Sequence, residues 1–340
     1  MKEIDALISS MSLKEKIGQL MVVGFEGTEL TGELADVLSK GRFAGFILFK
    51  RNIESVEGTR KLIRELKALY PKTFPPIIAV DEEGGRVSQI GHLVSVPPAA
   101  STIGRTRNTK FAFFHARDTG QKLKWLGFNV VFAPVLDVND EPENPVIGDR
   151  SYGDNPEVVS SLGTAALKGF ADTGITATAK HFPGHGSSKV DSHKVLPVIR
   201  HSEERWYTFE FLPFRAAIEA GVRIVMMGHV ACPALTQRED LPASFSPRVV
   251  QQILREEFGF GGVVITDALE MKAATDFMAK AAGPEEPLRA GCDLLLFANG
   301  GEAVVRARDA LLKASKEKRL TGARVAKSLR RILTLRSDLV

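Results

Sequence analysis

Short apolar runs rich in β-branched residues recur along the chain at Leu20 to Gly24, Gly45 to Phe49, Ile77 to Val80, Val130 to Leu136, Ile175 to Ala179, Ile224 to Met227, Val263 to Thr266 and Leu294 to Phe297. Continuous runs of this length suit strands buried on both faces. Between them the apolar positions change to helical spacing. Leu62, Leu66 and Leu69 share a face, as do Val158, Leu162, Ala165 and Ala166, behind an Asn155-Pro156 start that suits an N-cap and a first-turn proline. Ser12-Leu13-Lys14-Glu15 has the spacing of a capping box, opening a short helix that ends near Gln19. Ser246-Pro247 opens another, with Val249, Val250, Ile253 and Leu254 inward and Gly259 as its stop. Eight alternations of strand and helix predict an α/β fold, a (β/α)8 TIM barrel. A doubly wound open sheet is the alternative, weakened by the lack of a Gly-x-Gly-x-x-Gly turn after the first strand.

No repeat, low-complexity stretch or Gly/Ser/Pro linker divides the sequence, so residues 1–340 read as a single domain ending in a helix at about 321–336. In that helix Val325, Leu329, Ile332 and Leu333 form the inner face and the arginines are expected on the wet side. The net charge of +4 arises from 45 basic and 41 acidic residues of interspersed sign, which leaves no nucleic-acid footprint. No run approaches membrane-spanning length, and Met1-Lys2-Glu3-Ile4-Asp5 has no apolar signal core. The two cysteines, Cys232 and Cys292, lie far apart, which suits a reducing compartment. The expected location is cytoplasmic.

A barrel places its chemistry just after the strands. Polar residues fall there: the third run leads into Asp81-Glu82-Glu83-Gly84-Gly85-Arg86, the fourth into Asp137, the fifth into Lys180-His181, the sixth into His229 and the seventh into Asp267. Asp137 and His229 read equally well as buried polar groups bonded to backbone. Asp267 follows an apolar strand with no other carboxylate and is placed to act as a nucleophile or base. The densest segment is Lys180 to His193, Lys-His-Phe-Pro-Gly-His-Gly-Ser-Ser-Lys-Val-Asp-Ser-His, which holds three of the seven histidines and sets Asp191 two residues from His193. Its glycines and proline predict a loop. Carboxylate, guanidinium and ammonium groups around one mouth suit a hydroxyl-rich ligand, since a sugar hydroxyl both donates and accepts. Ile147-Gly148-Asp149-Arg150 is placed to deliver Arg150 to the same mouth.

Lys180 to Gly186 with Asp191-Ser192-His193, the upstream Asp81 to Arg86 and the downstream Ile265-Thr266-Asp267-Ala268-Leu269-Glu270-Met271 closely resemble the family 3 glycoside hydrolases. The likeness runs from the first helix to the eighth strand and is nearest to the bacterial β-N-acetylhexosaminidases of peptidoglycan recycling. It implies a retaining β-N-acetylglucosaminidase in which Asp267 is the nucleophile, His193 the general acid/base and Asp191 its orienting partner. By the same resemblance Asp81, Arg150, Lys180 and His181 hold the sugar. The family commonly carries a sugar-binding arginine three residues after the Arg86 position, where this chain has Gln89.

This chemistry requires no cofactor and no metal. The expected partner is a small-molecule glycoside containing N-acetylglucosamine, with no nucleic acid and no membrane involved. Phosphorolysis is a rival, because an imidazole does not repel a phosphate anion as a carboxylate would. A β-glucosidase of the same family, a metal hydrolase using His181, His185, Asp191 and His193, and a non-catalytic sugar-binding barrel are the others.

Overall fold

In the computed structural model, which describes residues 2–192, 194–281 and 283–339, eight parallel strands close into a barrel. They are β1 (Met21–Val23), β2 (Gly45–Ile47), β3 (Ile77–Val80), β4 (Val130–Val131), β5 (Thr176–Phe182), β6 (Ile224–Met227), β7 (Val263–Ala268) and β8 (Leu294–Phe297). Each lies beside its neighbours in chain order, and β8 closes on β1 with Leu296 opposite Val22. That closure excludes the open sheet and bears out the expected barrel. Every expected run holds a strand, and the largest shortfall is in the fourth. Pro134 has no N–H to give the ladder, so β4 stops early. The chain nevertheless stays beside β5, where Leu136 N donates to Lys180 O at 2.6 Å, and so brings Asp137 to the mouth.

The helical layer follows the capping signals. Ser12 Oγ accepts from Glu15 N at 3.2 Å while Glu15 Oε2 accepts from Ser12 N at 2.9 Å, which closes the capping box of helix Leu13–Gly18. Asn155 caps helix Pro156–Asp172, and Val249, Val250, Ile253 and Leu254 are buried on the Arg248–Glu257 segment, whose winding is of the wider π type. The C-terminal helix, Gly322–Ser337, corrects one expectation: its arginines are not all on the wet side. Arg336 is 2% exposed and donates to Gln19 Oε1 and the carbonyls of Phe74 and Pro75, while Arg324 and Arg331 reach the buried Asp293. Buried oxygens engage these guanidiniums, which fasten the last helix to the N-terminal side of the barrel. Among the described residues no helix is long and apolar enough to cross a membrane.

Two strands carry irregularities where the mouth needs them. Across β5 and β6, Lys180 faces Met226 and Phe182 faces Met227, so His181 is an inserted residue. Across β8 and β7, Leu294 faces Ile265 and Leu296 faces Ala268, an extra residue within Thr266–Asp267. A bulge bends the strand and re-aims side chains, which releases successive residues from strict alternation. Beyond the β5 bulge, Phe182 stacks on Phe211 at 5.3 Å and meets Phe214 edge-on at 5.2 Å, so the strand end bearing Lys180 and His181 is locked by aromatic packing.

Candidate active site

The mouth is organised around buried charge. Lys180 Nζ lies 2.6 Å from Asp81 Oδ1 and 2.5 Å from Glu83 Oε1. Arg150 grips Glu83 with both nitrogens of its fork, Nε at 2.7 Å and Nη2 at 2.9 Å. The Lys180 and Glu83 side chains are 2% and 3% exposed, whereas Asp81 is 23% exposed and is the member of the set that meets solvent. Burial works to raise the Glu83 carboxyl, but the Lys180 and Arg150 charges outweigh it and hold it at about 2. For Lys180 burial pulls downward and the two carboxylates overcome it, so the ammonium stays protonated.

His181 joins this set to a second one. Its Nδ1 donates to Asp137 Oδ2 at 2.7 Å, which leaves Nε2 as the acceptor for Arg150 Nη2 at 3.3 Å. Asp137 is fully buried and also accepts from the backbone N–H of His185 at 2.8 Å. Burial pushes its carboxyl up, and His181 and the bonds around it bring it below the usual range. Asp81, Arg150, Lys180 and His181, the four expected sugar-binding residues, therefore form one continuous network.

Asp267 stands at the β7 bulge, partly exposed, with Oδ1 accepting from Ala268 N at 2.7 Å. Burial raises its carboxyl, but the fields of His181 and His229, the Ala268 N–H and the Lys180 charge carry it below the ordinary carboxylate value. His229 is buried, shares a hydrogen bond with Ser244 Oγ at 2.8 Å and faces the carbonyls of Asp267 and Ala268 at 3.2 and 3.3 Å. Its reading as a buried polar group bonded to backbone holds, and what it holds is the backbone of Asp267.

The loop after β5 carries Asp191, whose carbonyl accepts from Lys194 N and Val195 N. The expected acid/base, His193, lies outside the described residues. The first half of the loop is tied down: a Cβ on Gly186 would fall 1.8 Å from Val138 O, so only glycine permits this approach. Asn144 Nδ2 donates to the carbonyls of His185 and Gly186 at 2.9 and 2.8 Å. Among the described residues no three His, Cys, Asp or Glu side chains gather as a metal-binding set. His181 Nδ1 and His185 Nε2 are already engaged by Asp137 and Ser192.

The Gln89 departure has a local answer. Its Oε1 accepts from the Lys50 N–H at 2.9 Å, Arg86 pairs with Asp149 at 2.6 Å and donates to Val146 O and Ile147 O, and His92 contacts Ile53 O. Arg86 thus braces the turn that presents Arg150, and neither it nor His92 enters the Asp81–Lys180 set. Glu83 is the residue that motif reading left without a role. Its signal was period-two alternation beyond β3: Asp81 and Glu83 turn to the mouth, while Glu82 turns away to Ser88 Oγ and the N–H groups of Gln89 and Ile90.

Burial depresses His185 to about 4, so the folded chain keeps it neutral where an unfolded chain, titrating near 6.5, takes up a proton. The unfolded state then binds more protons between these values, and stability is lost as pH falls from about 6.5 towards 4. The expected loss is roughly 3 kcal/mol at 1.4 kcal/mol per unit. Urea unfolding of the wild type and His185→Asn across this window checks it: the variant should show a shallower slope, and an unchanged slope would remove His185 as the source.

Residues 12–335 match the glycosyl hydrolase family 3 N-terminal domain. The β-hexosaminidase of Idiomarina loihiensis is 37% identical over 306 residues, covering 88% of this chain and 89% of that protein. The β-hexosaminidase A of Pseudoalteromonas piscicida is 36% identical over 287 residues, 79% of this chain and 48% of its own length. A family 3 β-N-acetylglucosaminidase structure from Paenibacillus superposes with a TM-score of 0.93 at 39% identity, over 97% of this chain and 63% of that one. The chain thus spans about half of one of these relatives, under two thirds of another and most of the third.

Proposed function

Because the chain belongs to glycosyl hydrolase family 3, we propose that it is a retaining β-N-acetylglucosaminidase, removing terminal non-reducing N-acetylglucosamine through a glycosyl-Asp267 intermediate. The observation that carries this reading is Asp267 itself, a partly exposed carboxylate with a lowered pKa at a strand bulge beside the Asp81–Lys180–Glu83–Arg150–His181 network.

In the first step an Asp267 oxygen attacks the anomeric carbon and the glycosidic C–O bond breaks, while His193 gives its proton to the departing oxygen. Asp191 orients and polarises that imidazole. In the second step His193 takes a proton from water, the hydroxide attacks the same carbon, and the ester to Asp267 is cleaved. Two inversions leave the configuration retained; most retaining glycosidases give the acid/base role to a carboxyl group, so a histidine here belongs to the exceptions. Asp81 accepts from sugar hydroxyls, with Lys180 and Arg150 fixing the charge around it. The names of the curated relatives support a hexosamine substrate. The proposed natural source is the N-acetylglucosaminyl-anhydromuramyl fragment of wall turnover, met in the cytoplasm, where the free Cys232 and Cys292 stay reduced.

The test is a product assay on an aryl β-N-acetylglucosaminide, an aryl β-glucoside and a muropeptide disaccharide, each with and without phosphate. Free N-acetylglucosamine from the first and third, independent of phosphate, is expected. Sugar 1-phosphate as the main product would replace hydrolysis by phosphorolysis, and a preference for the glucoside would displace the hexosamine assignment.

A further inference from the structure

We propose that Ser192 and His185 are positioning residues, a clasp that fixes the backbone between Asp191 and His193 against the nucleophile's side of the mouth. This role rests on the hydrolytic reading above.

Ser192 is 1% exposed although it lies in a polar loop. Its Oγ and His185 Nε2 share a hydrogen bond of 3.1 Å, and its carbonyl accepts from Ala273 N at 3.3 Å. Ala273 is in the first turn of helix Lys272–Lys280, which follows β7 and has no side-chain cap. Its N–H is one of the donors that a helix start leaves without an internal partner. The loop therefore caps the helix that leaves the nucleophile strand. At the other end of the clasp His185 is itself immobilised, its N–H on Asp137 and its carbonyl on Asn144. A continuous path of hydrogen bonds runs from His181 through Asp137, His185 and Ser192 to the segment beyond Asp267.

Between the anchored start of the loop and Ser192 lies a short turn, with Ser188 Oγ bonded to Val190 and Lys189, 72% exposed, in a weak ion pair with Glu141 at 3.4 Å. Such a turn contributes little to the direction in which the chain arrives at Asp191. Among the described residues, Ser192 is a buried fixed point beside the proposed acid/base pair, and a displaced general acid loses its advantage steeply with distance.

The role predicts a loss that depends on the leaving group. Ser192→Ala should lower kcat/KM for chitobiose, whose leaving oxygen needs a proton, by about tenfold to a hundredfold. On 2,4-dinitrophenyl β-N-acetylglucosaminide, whose aglycone departs unprotonated, the change should stay within about threefold by the same logic. His185→Gln, whose amide can still donate to Ser192, should retain more chitobiose activity than His185→Ala. Equal losses on both substrates, or no loss on either, would overturn the clasp while leaving the hydrolase reading intact. Failure of the wild type to release N-acetylglucosamine from either substrate would instead remove that reading and the clasp with it.

Discussion

Asp267→Ala is expected to lower turnover of an aryl β-N-acetylglucosaminide by at least about 10⁴-fold, the scale on which loss of a covalent nucleophile is felt. The fold should survive. The Asp267 side chain bonds to the neighbouring Ala268 N–H, whereas the local backbone is held through its carbonyls by His229 and through Leu269 N to Leu296 O at 2.9 Å. Truncation leaves one partly exposed N–H to find water, a cost of about 1 kcal/mol. Azide supplied to the variant should occupy the space of the missing carboxylate and yield an α-glycosyl azide from an activated aryl substrate. Near-normal activity without azide would take the nucleophile role away from Asp267.

Lys180→Met should have the largest effect on stability together with a large effect on activity. The ammonium is 2% exposed and neutralises Asp81 and Glu83 at once, so its removal strands buried negative charge. Breaking such a pair costs on the order of 3 to 5 kcal/mol. Glu83 would keep Arg150, so its pKa should rise without reaching the value of an unpaired buried acid. In the wild type the stabilisation from Glu83, whose pKa is lowered, is fully present above the ordinary 4.5 and is lost as pH falls through about 2. In Lys180→Met the stabilisation from Glu83 should be smaller and its loss, which still sets in near 4.5, should be complete at a higher pH. Urea midpoints of Lys180→Met, Glu83→Gln and the double variant measure the coupling, and strict additivity would show that the two groups do not interact. The activity of Lys180→Met should fall about a hundredfold because Asp81 loses the partner that orients it.

The barrel could be read from sequence because its strands are buried on both faces and so remain unbroken apolar runs. Placing candidate side chains just after them then required only the general geometry of the fold, and this singled out Asp81, Lys180, His181 and Asp267 as candidates. Glu83 was hidden because two adjacent glutamates look alike until their alternation is followed past the strand end. The bulges at His181 and at Thr266–Asp267 were hidden too, since an inserted residue leaves no compositional mark. Asp137 and His229 read as ordinary buried polar groups, and they are, yet one aims His181 and the other braces Asp267. The arginines of the last helix misled for a related reason: periodicity assigns a face, but long guanidinium side chains reach buried carbonyls and Asp293 from its edge. Ser192 gave no signal, because its burial comes from contacts with residues before and after it in the sequence, His185 and Ala273.

The central claim is that Asp267 becomes covalently bonded to the sugar. Incubation with a 5-fluoro N-acetylglucosaminyl fluoride, which forms such an ester faster than water can remove it, followed by intact-mass and peptide mass spectrometry, tests this directly. One glycosyl adduct per chain, located on Asp267 and lost as activity returns, is the predicted result. An adduct on another carboxylate, or turnover of the reagent with an inverted product and no adduct, would contradict it.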